Sequence, residues 1–275
     1  MMQYRTYNVP LALLGTYTTC RLVVRATDPV ELGDSLAAEP NDEVVMLQLL
    51  DIEAELDALE TSGYGIPIEV VLNDPQTEAG KLYRVMSLQR THPVRIVIPV
   101  VAGFSKAIKV ASSLNLPVKL EGTQPDATLI EELCDALDHY LHNKAVSQPI
   151  EYFSGLLMAR LHRMPITLWD IQEEDPASVR HITDDGNEVI ARRPFVPVTQ
   201  SIDSFRFAHT KQVLSPGEEC ASCEFFPECA GYFKWPDRNF SCEGVKRVFR
   251  KLHEAANELQ DDLSIYPITS MEPVR

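Results

Sequence analysis

The chain has 275 residues, 45% of them apolar, and 40 acidic against 25 basic side chains for a formal net charge of -15. That apolar share is enough to bury a sizeable core and excludes a disordered chain or a small disulfide scaffold. The acidic excess repels nucleic acid and anionic membranes, so neither is an expected partner. The longest apolar run, Val97 to Ala102, is of strand length and far short of the roughly 18 to 20 residues of a membrane helix. The opening residues lack the zones of a secretory signal, and the expectation is a cytoplasmic protein.

In chain order, Thr18 to Val24 reads as a strand. Asn41 or Asp42 then caps an expected helix in which Val44, Leu47, Leu50, Leu56 and Leu59 recur at helical spacing until Gly63. Ile68 to Leu72 is a second strand, followed by a helix through Leu82, Val85 and Leu88. Arg95 to Val100 is a third strand, and Phe104, Ile108 and Ala111 give the next helix its apolar face. Val118 to Leu120 is a fourth, ahead of a helix from Ala127 to His142 opened by Asp126. Ile150 to Phe153 is a fifth, ahead of a helix through Leu156, Leu157 and Leu161. Five such units predict an α/β fold over residues 1–165, either a partial (β/α) barrel or an open parallel sheet.

The pattern changes after Pro165. Val179 to Ile182 and Glu188 to Ala191, separated by Asp184 to Asn187, predict a hairpin, and a linker with Pro194 and Pro197 completes residues 166–214. Residues 215–262 hold a cysteine-rich segment and a helix from about Val245 to Leu259. Residues 263–275 read as a loose tail.

Four of the six cysteines fall together as Cys220-x2-Cys223-x5-Cys229-x12-Cys242, while Cys20 and Cys134 stand alone. A turn of two residues directs both thiols of a pair towards one group, and four thiolates complete either a tetrahedral zinc site or the corners of a 4Fe-4S cluster. In a reducing compartment such a set points to a metal rather than to disulfides. Zinc pairs usually come as two short knuckles, so the wide second interval favours iron-sulfur, with one zinc ion as the alternative.

These cysteines, with Gly231-Tyr232-Phe233-Lys234-Trp235-Pro236 between them and Gly244 ahead of a helix, resemble the C-terminal SPASM extension of radical SAM enzymes that modify peptides and proteins. The resemblance covers roughly residues 215 to 262. It implies that Cys220, Cys223, Cys229 and Cys242 ligate one auxiliary 4Fe-4S cluster.

Two departures define the expected activity. The SAM-cleaving cluster of that family needs C-x3-C-x2-C after the first strand, and here Cys20 is followed at the corresponding positions by Val24 and Thr27, which do not ligate iron. Leu72-Asn73-Asp74-Pro75 stands where the family has a Gly-Gly-Glu-like turn, and Phe233 stands where a further SPASM cysteine is expected. The resemblance therefore implies an accessory iron-sulfur protein without SAM binding or SAM cleavage, which binds a partner enzyme or precursor peptide and relays electrons. A divergent enzyme with its chemistry in the barrel mouth and a zinc-stapled binding module are the alternatives.

Other features are weaker. Phe225, Phe226, Tyr232, Phe233, Trp235 and Phe240 would form a small core around the metal group. Lys234, Arg238, Lys246, Arg247, Arg250 and Lys251 concentrate basic charge beside it, either against the charge of the cluster or as a solvated face. His139, His142 and Asp135 share a helix face but have no second ligand pair. The stretch from Asp28 to Glu60, without Lys or Arg, is a solvated face or a dock for a basic peptide or protein.

Overall fold

A computed structural model describes residues 5–17, 19–38, 41–61, 65–122, 124–190 and 201–265. The expected strand start at Thr18, the helix stop at Gly63, the linker prolines and residues 266–275 lie outside the described residues.

Eight strands form one curled sheet: β1 Thr6–Pro10, β2 Arg21–Ala26, β3 Val44–Leu49, β4 Ile68–Val71, β5 Val94–Pro99, β6 Val118–Glu121, β7 Val179–Ile182 and β8 Glu188–Val189. Their order is β6-β5-β4-β3-β2-β1-β7-β8, and every pairing is parallel except β7 with β8. The helices are α1 Pro29–Ala38, α2 Pro75–Glu78, α3 Phe104–Ser113, α4 Ala127–His142, α5 Glu151–His162, α6 Leu168–Ile171, α7 Ile202–Val213, α8 Phe226–Cys229 and α9 Glu243–Ile265. The α/β class expected from the alternation is the one observed, and of the two arrangements left open the curled sheet is a half-barrel.

Period-2 alternation gives the sheet two unlike faces. Leu22, Val24, Leu47, Leu49, Ile68, Val70, Ile96, Ile98, Val118 and Leu120 are buried in one apolar core, which also takes Leu32 of α1 and Phe104, Ile108 and Ala111 of α3. The opposite face carries polar neighbours: Gln48 is in register with Glu69, and Glu69 with Arg95. Gln48 donates to Glu69 at 2.6 Å, and Arg95 pairs with Glu69, with Glu151 of α5 at 2.6 Å and with Glu173 at 3.0 Å. Lys119 pairs with the same Glu173. The burial cost of these charges is met by mutual pairing, and the two cations hold the Glu173 carboxyl well below its ordinary range against the opposing effect of burial.

Several expected elements are corrected. Val44 to Leu49 is a central strand, not the start of a helix. A run buried on both faces satisfies helical spacing by coincidence, and pairing on both edges decides the matter. Leu56–Leu59 is a separate short 3-10 segment, and the expected helix through Leu82 to Leu88 is short α2 followed by 3-10 turns over Ala79–Met86 and Leu88–Arg90.

Ile150 makes one parallel bridge to Val118, but the expected fifth strand is the first turn of α5. Tyr152, Phe153, Leu156 and Leu157 are buried together as a helical face. Strand β1 is not among the expected elements, and α7 occupies the end of the segment expected as a linker up to residue 214, its Phe205, His209 and Val213 buried one per turn. The hairpin of β7 and β8 is present, and β7 also pairs with β1. The last helix runs further than expected at both ends.

Candidate metal centre

Short elements bring the four clustered cysteines together. Cys220 lies in a 3-10 turn over Glu219–Ser222, Cys223 follows it, Cys229 ends α8, and Cys242 precedes α9. All four line one small apolar pocket with Phe225, Phe226, Phe233, Val245 and Phe249, and Glu219 and Lys246 stand at its edge. All six cysteines are free thiols, and Cys20 and Cys134 do not line this pocket. Among the described residues no group of three or more His, Cys, Asp or Glu side chains stands close enough together to hold a metal ion. The arrangement is four thiols lining a shared apolar space.

Burial disfavours the thiolate form at these cysteines, and nearby amide and ammonium groups oppose that effect. Burial pushes the Cys229 thiol up to about 12, while the backbone N–H groups of Phe233, Tyr232 and Gly231 act in the opposite direction. Cys242 is likewise pushed up to about 12, by burial and then by the charge of Glu219, with Lys234 opposing. Thiols held protonated by burial yet faced by amide donors and ammonium groups fit a cationic metal group that takes them as thiolates. The Glu219 carboxyl binds Lys234 at 2.7 Å and Lys246 at 2.6 Å; against burial, these bonds hold it down at about 2. The carboxyl thus fixes both ammonium groups beside the thiols.

The aromatic surround is divided more finely than expected. Phe225, Phe226 and Phe233 line the thiol pocket, and Phe240 stacks on Phe233 at 6.3 Å. Tyr232 and Trp235 belong instead to a second cluster with Trp169, Phe205 and His209, with Trp169 and Tyr232 ring centroids 5.0 Å apart. The basic concentration is paired throughout. Arg238 meets Glu218 at 2.9 Å, Arg247 meets Glu131 at 3.0 Å, Arg250 meets Glu243 at 3.4 Å and Lys251 meets Asp138 at 2.7 Å. Arg247 and Lys251 thereby tie α9 to α4. His139 bonds Asn143 at 3.1 Å at the end of α4, as a helix-end residue does.

A second cavity of about 260 Å³ opens where β4, β5 and β6 end. It is lined by Asn73, Pro99 to Val101, Glu121, Gly122, Gln124, Pro125, Leu133, Tyr152 and Phe233. The C-terminal edge of a parallel sheet is where α/β folds bind ligands. Phe233 lines both this cavity and the thiol pocket. Tyr152 is 4% exposed, and its hydroxyl has no hydrogen-bond partner among the described residues.

The sequence alone does not single out Trp169, His209, Glu219, Tyr152 or Gln124. Only Glu219 carried a signal, as a carboxylate next to the first cysteine of the run. No family model, curated protein or solved structure matches this chain.

Proposed function

We propose that this chain is an accessory iron-sulfur protein that binds one 4Fe-4S cluster through Cys220, Cys223, Cys229 and Cys242. The observation that carries the reading is the convergence of these four free thiols on one apolar pocket. The C-x2-C-x5-C-x12-C spacing and the SPASM resemblance favour a cluster over a single zinc ion. When bound by four protein thiolates, such a group supplies one-electron transfer and local structural closure, with no open iron position for substrate. Phe225, Phe226, Phe233 and Phe249 give the thiols an apolar surround, and Lys234 and Lys246 bring positive charge to them.

The partner is a protein or peptide in a peptide-modifying system, and the role is recognition with electron relay rather than SAM cleavage. Support for a non-catalytic role comes from the polar sheet face, where Arg95 and Lys119 are already paired with Glu69, Glu151 and Glu173. The cavity at the ends of β4 to β6 favours the second reading, a catalyst whose substrate sits one phenyl ring from the thiol pocket.

Anaerobic purification with iron, sulfide and zinc analysis, together with a SAM-binding titration, tests these readings. About four irons and four sulfides per chain without SAM binding is the expected result. One zinc without sulfide would replace the cluster with a structural ion, and SAM binding would move the reading to an enzyme.

A further inference from the structure

After Cys229 the chain passes through Ala230 and Gly231, both left-handed, at φ 48°, ψ 36° and φ 74°, ψ 13°. The backbone N–H groups of Gly231, Tyr232 and Phe233 oppose the upward effect of burial on the Cys229 thiol. A trans peptide points its carbonyl opposite to its N–H, and the carbonyls of Ala230 and Gly231 belong to the same amides as the N–H groups of Gly231 and Tyr232.

Both carbonyls are held by side chains from outside the cysteine segment. Trp169 of α6 donates its Nε1–H to the Ala230 carbonyl at 3.1 Å, and Arg206 of α7 donates to the same oxygen at 3.4 Å. His209 of α7 bonds the Gly231 carbonyl through Nε2 at 3.0 Å, which requires that nitrogen to carry the proton. Trp169 is fully buried and His209 is 4% exposed. The Arg206 guanidinium lies 4.6 Å over the Trp169 ring and is fixed by Asp175 at 3.2 Å. Packing also closes the site from behind: a methyl group on Gly231 would stand 3.0 Å from Val213 and 3.3 Å from the His209 Nε2.

A donor on the carbonyl end of an amide polarises that amide and strengthens the N–H at its other end. Trp169 and Arg206 act in this way through the first amide, and His209 through the second, on one sulfur. We infer that Trp169, Arg206 and His209 are positioning residues of the metal centre, which fix the Cys229 loop and strengthen its N–H···S donors, so that α6 and α7 tune the electronic state of the bound group. The direction follows from charge. Reduction adds an electron to a thiolate-ligated cluster, and donors to its sulfur stabilise the more negative state, which raises the reduction potential.

This inference rests on the cluster reading, and its test separates the two. Full-length protein is purified anaerobically as wild type, W169F, H209L and H209Q, assayed for iron and sulfide, and titrated against a redox mediator series while the cluster absorbance is followed. Far-UV circular dichroism checks folding. W169F keeps the ring without the donor, H209L removes the donor at similar volume, and H209Q restores an N–H. The expected result is a more negative midpoint potential in W169F and H209L, with recovery towards wild type in H209Q. Iron lost from folded H209L and regained in H209Q also supports the role, through loop positioning. An unchanged or more positive potential in both W169F and H209L, at full iron and sulfide content, overturns the role while leaving the cluster reading in place. Wild-type protein without iron and sulfide overturns the cluster reading and this role with it.

Discussion

The Gln124 side chain donates from Nε2 to the backbone carbonyl of Phe233 at 3.0 Å. It donates also to the carbonyl of Asp237 at 2.7 Å. Gln124 follows β6, and Phe233 is the wall shared by the thiol pocket and the cavity at the sheet edge. One amide therefore joins the strand ends to the cysteine segment across more than 100 residues of chain.

Replacing Gln124 by Leu keeps the volume and leaves both carbonyls without their donor. A net loss of about 1–3 kcal/mol is expected, read as a lower urea midpoint at unchanged slope. An unchanged midpoint would mean that water takes the place of the amide.

Three glycines with positive φ have different surroundings and should rank in order when changed to Ala. Gly65 has open space at φ +83°, so only backbone strain of about 1 kcal/mol is added. Gly231 adds contacts at 3.0 and 3.3 Å with side chains that shift only in part. At Gly103 the new Cβ would stand 2.6 Å from the Gln76 Cα, a backbone atom that cannot yield without moving α2. Thermal melts should place the losses as Gly103→Ala, then Gly231→Ala, then Gly65→Ala, and any other order would contradict the packing described.

Arg95 is the counter-ion of Glu69, whose side chain is only 2% exposed. Arg95→Met leaves that carboxylate buried with Gln48 as its remaining donor, and a loss of about 3–5 kcal/mol is expected in equilibrium unfolding. Adding Glu69→Gln to Arg95→Met should regain part of it, because the uncompensated charge is gone. A double variant less stable than Arg95→Met would show that the pair contributes through packing.

The Glu173 carboxyl is held below its ordinary value of 4.5 by Lys119 and Arg95, against burial. A depressed folded pKa stabilises the protein above the unfolded value, and this contribution is lost as pH falls through the folded value. Glu173→Gln should therefore be less stable than wild type at neutral pH, and the gap should narrow below about pH 4.5. Urea midpoints measured from pH 7 down to pH 3 test this; a constant gap would assign the effect to hydrogen bonding alone.

The cysteines should divide four to two. Ala at Cys220, Cys223, Cys229 or Cys242 is expected to lower bound iron and sulfide and to lower the melting temperature, since metal binding is coupled to local folding. Ala at Cys20 or Cys134, neither of which lines the thiol pocket, should leave the metal content at the wild-type level. Metal analysis of the six variants reads the division directly.

Local periodicity made much of the architecture legible. α4 begins at Ala127 and ends at His142 as its capping Asp126 and apolar spacing require, and β4, β5 and β6 fall within a residue or two of their apolar runs. The cysteine spacing was legible for the same reason, because two-residue turns are local geometry. Val44 to Leu49 and Ile150 to Phe153 were not, since a short buried run fits a helix and a strand equally and only its neighbours choose between them.

By itself the sequence determined the α/β class, the division of the cysteines and the acidic balance, all of which depend on composition or on residues close together in the chain. Tertiary structure alone decided that β7 pairs with β1, that each basic side chain near the cysteines meets a carboxylate, and that Trp169 and His209 hold the Cys229 loop. The physical reason is separation along the chain. Trp169 is 61 residues from Ala230 and His209 is 22 from Gly231, and a hydrogen bond across such a distance leaves no periodic trace in the sequence.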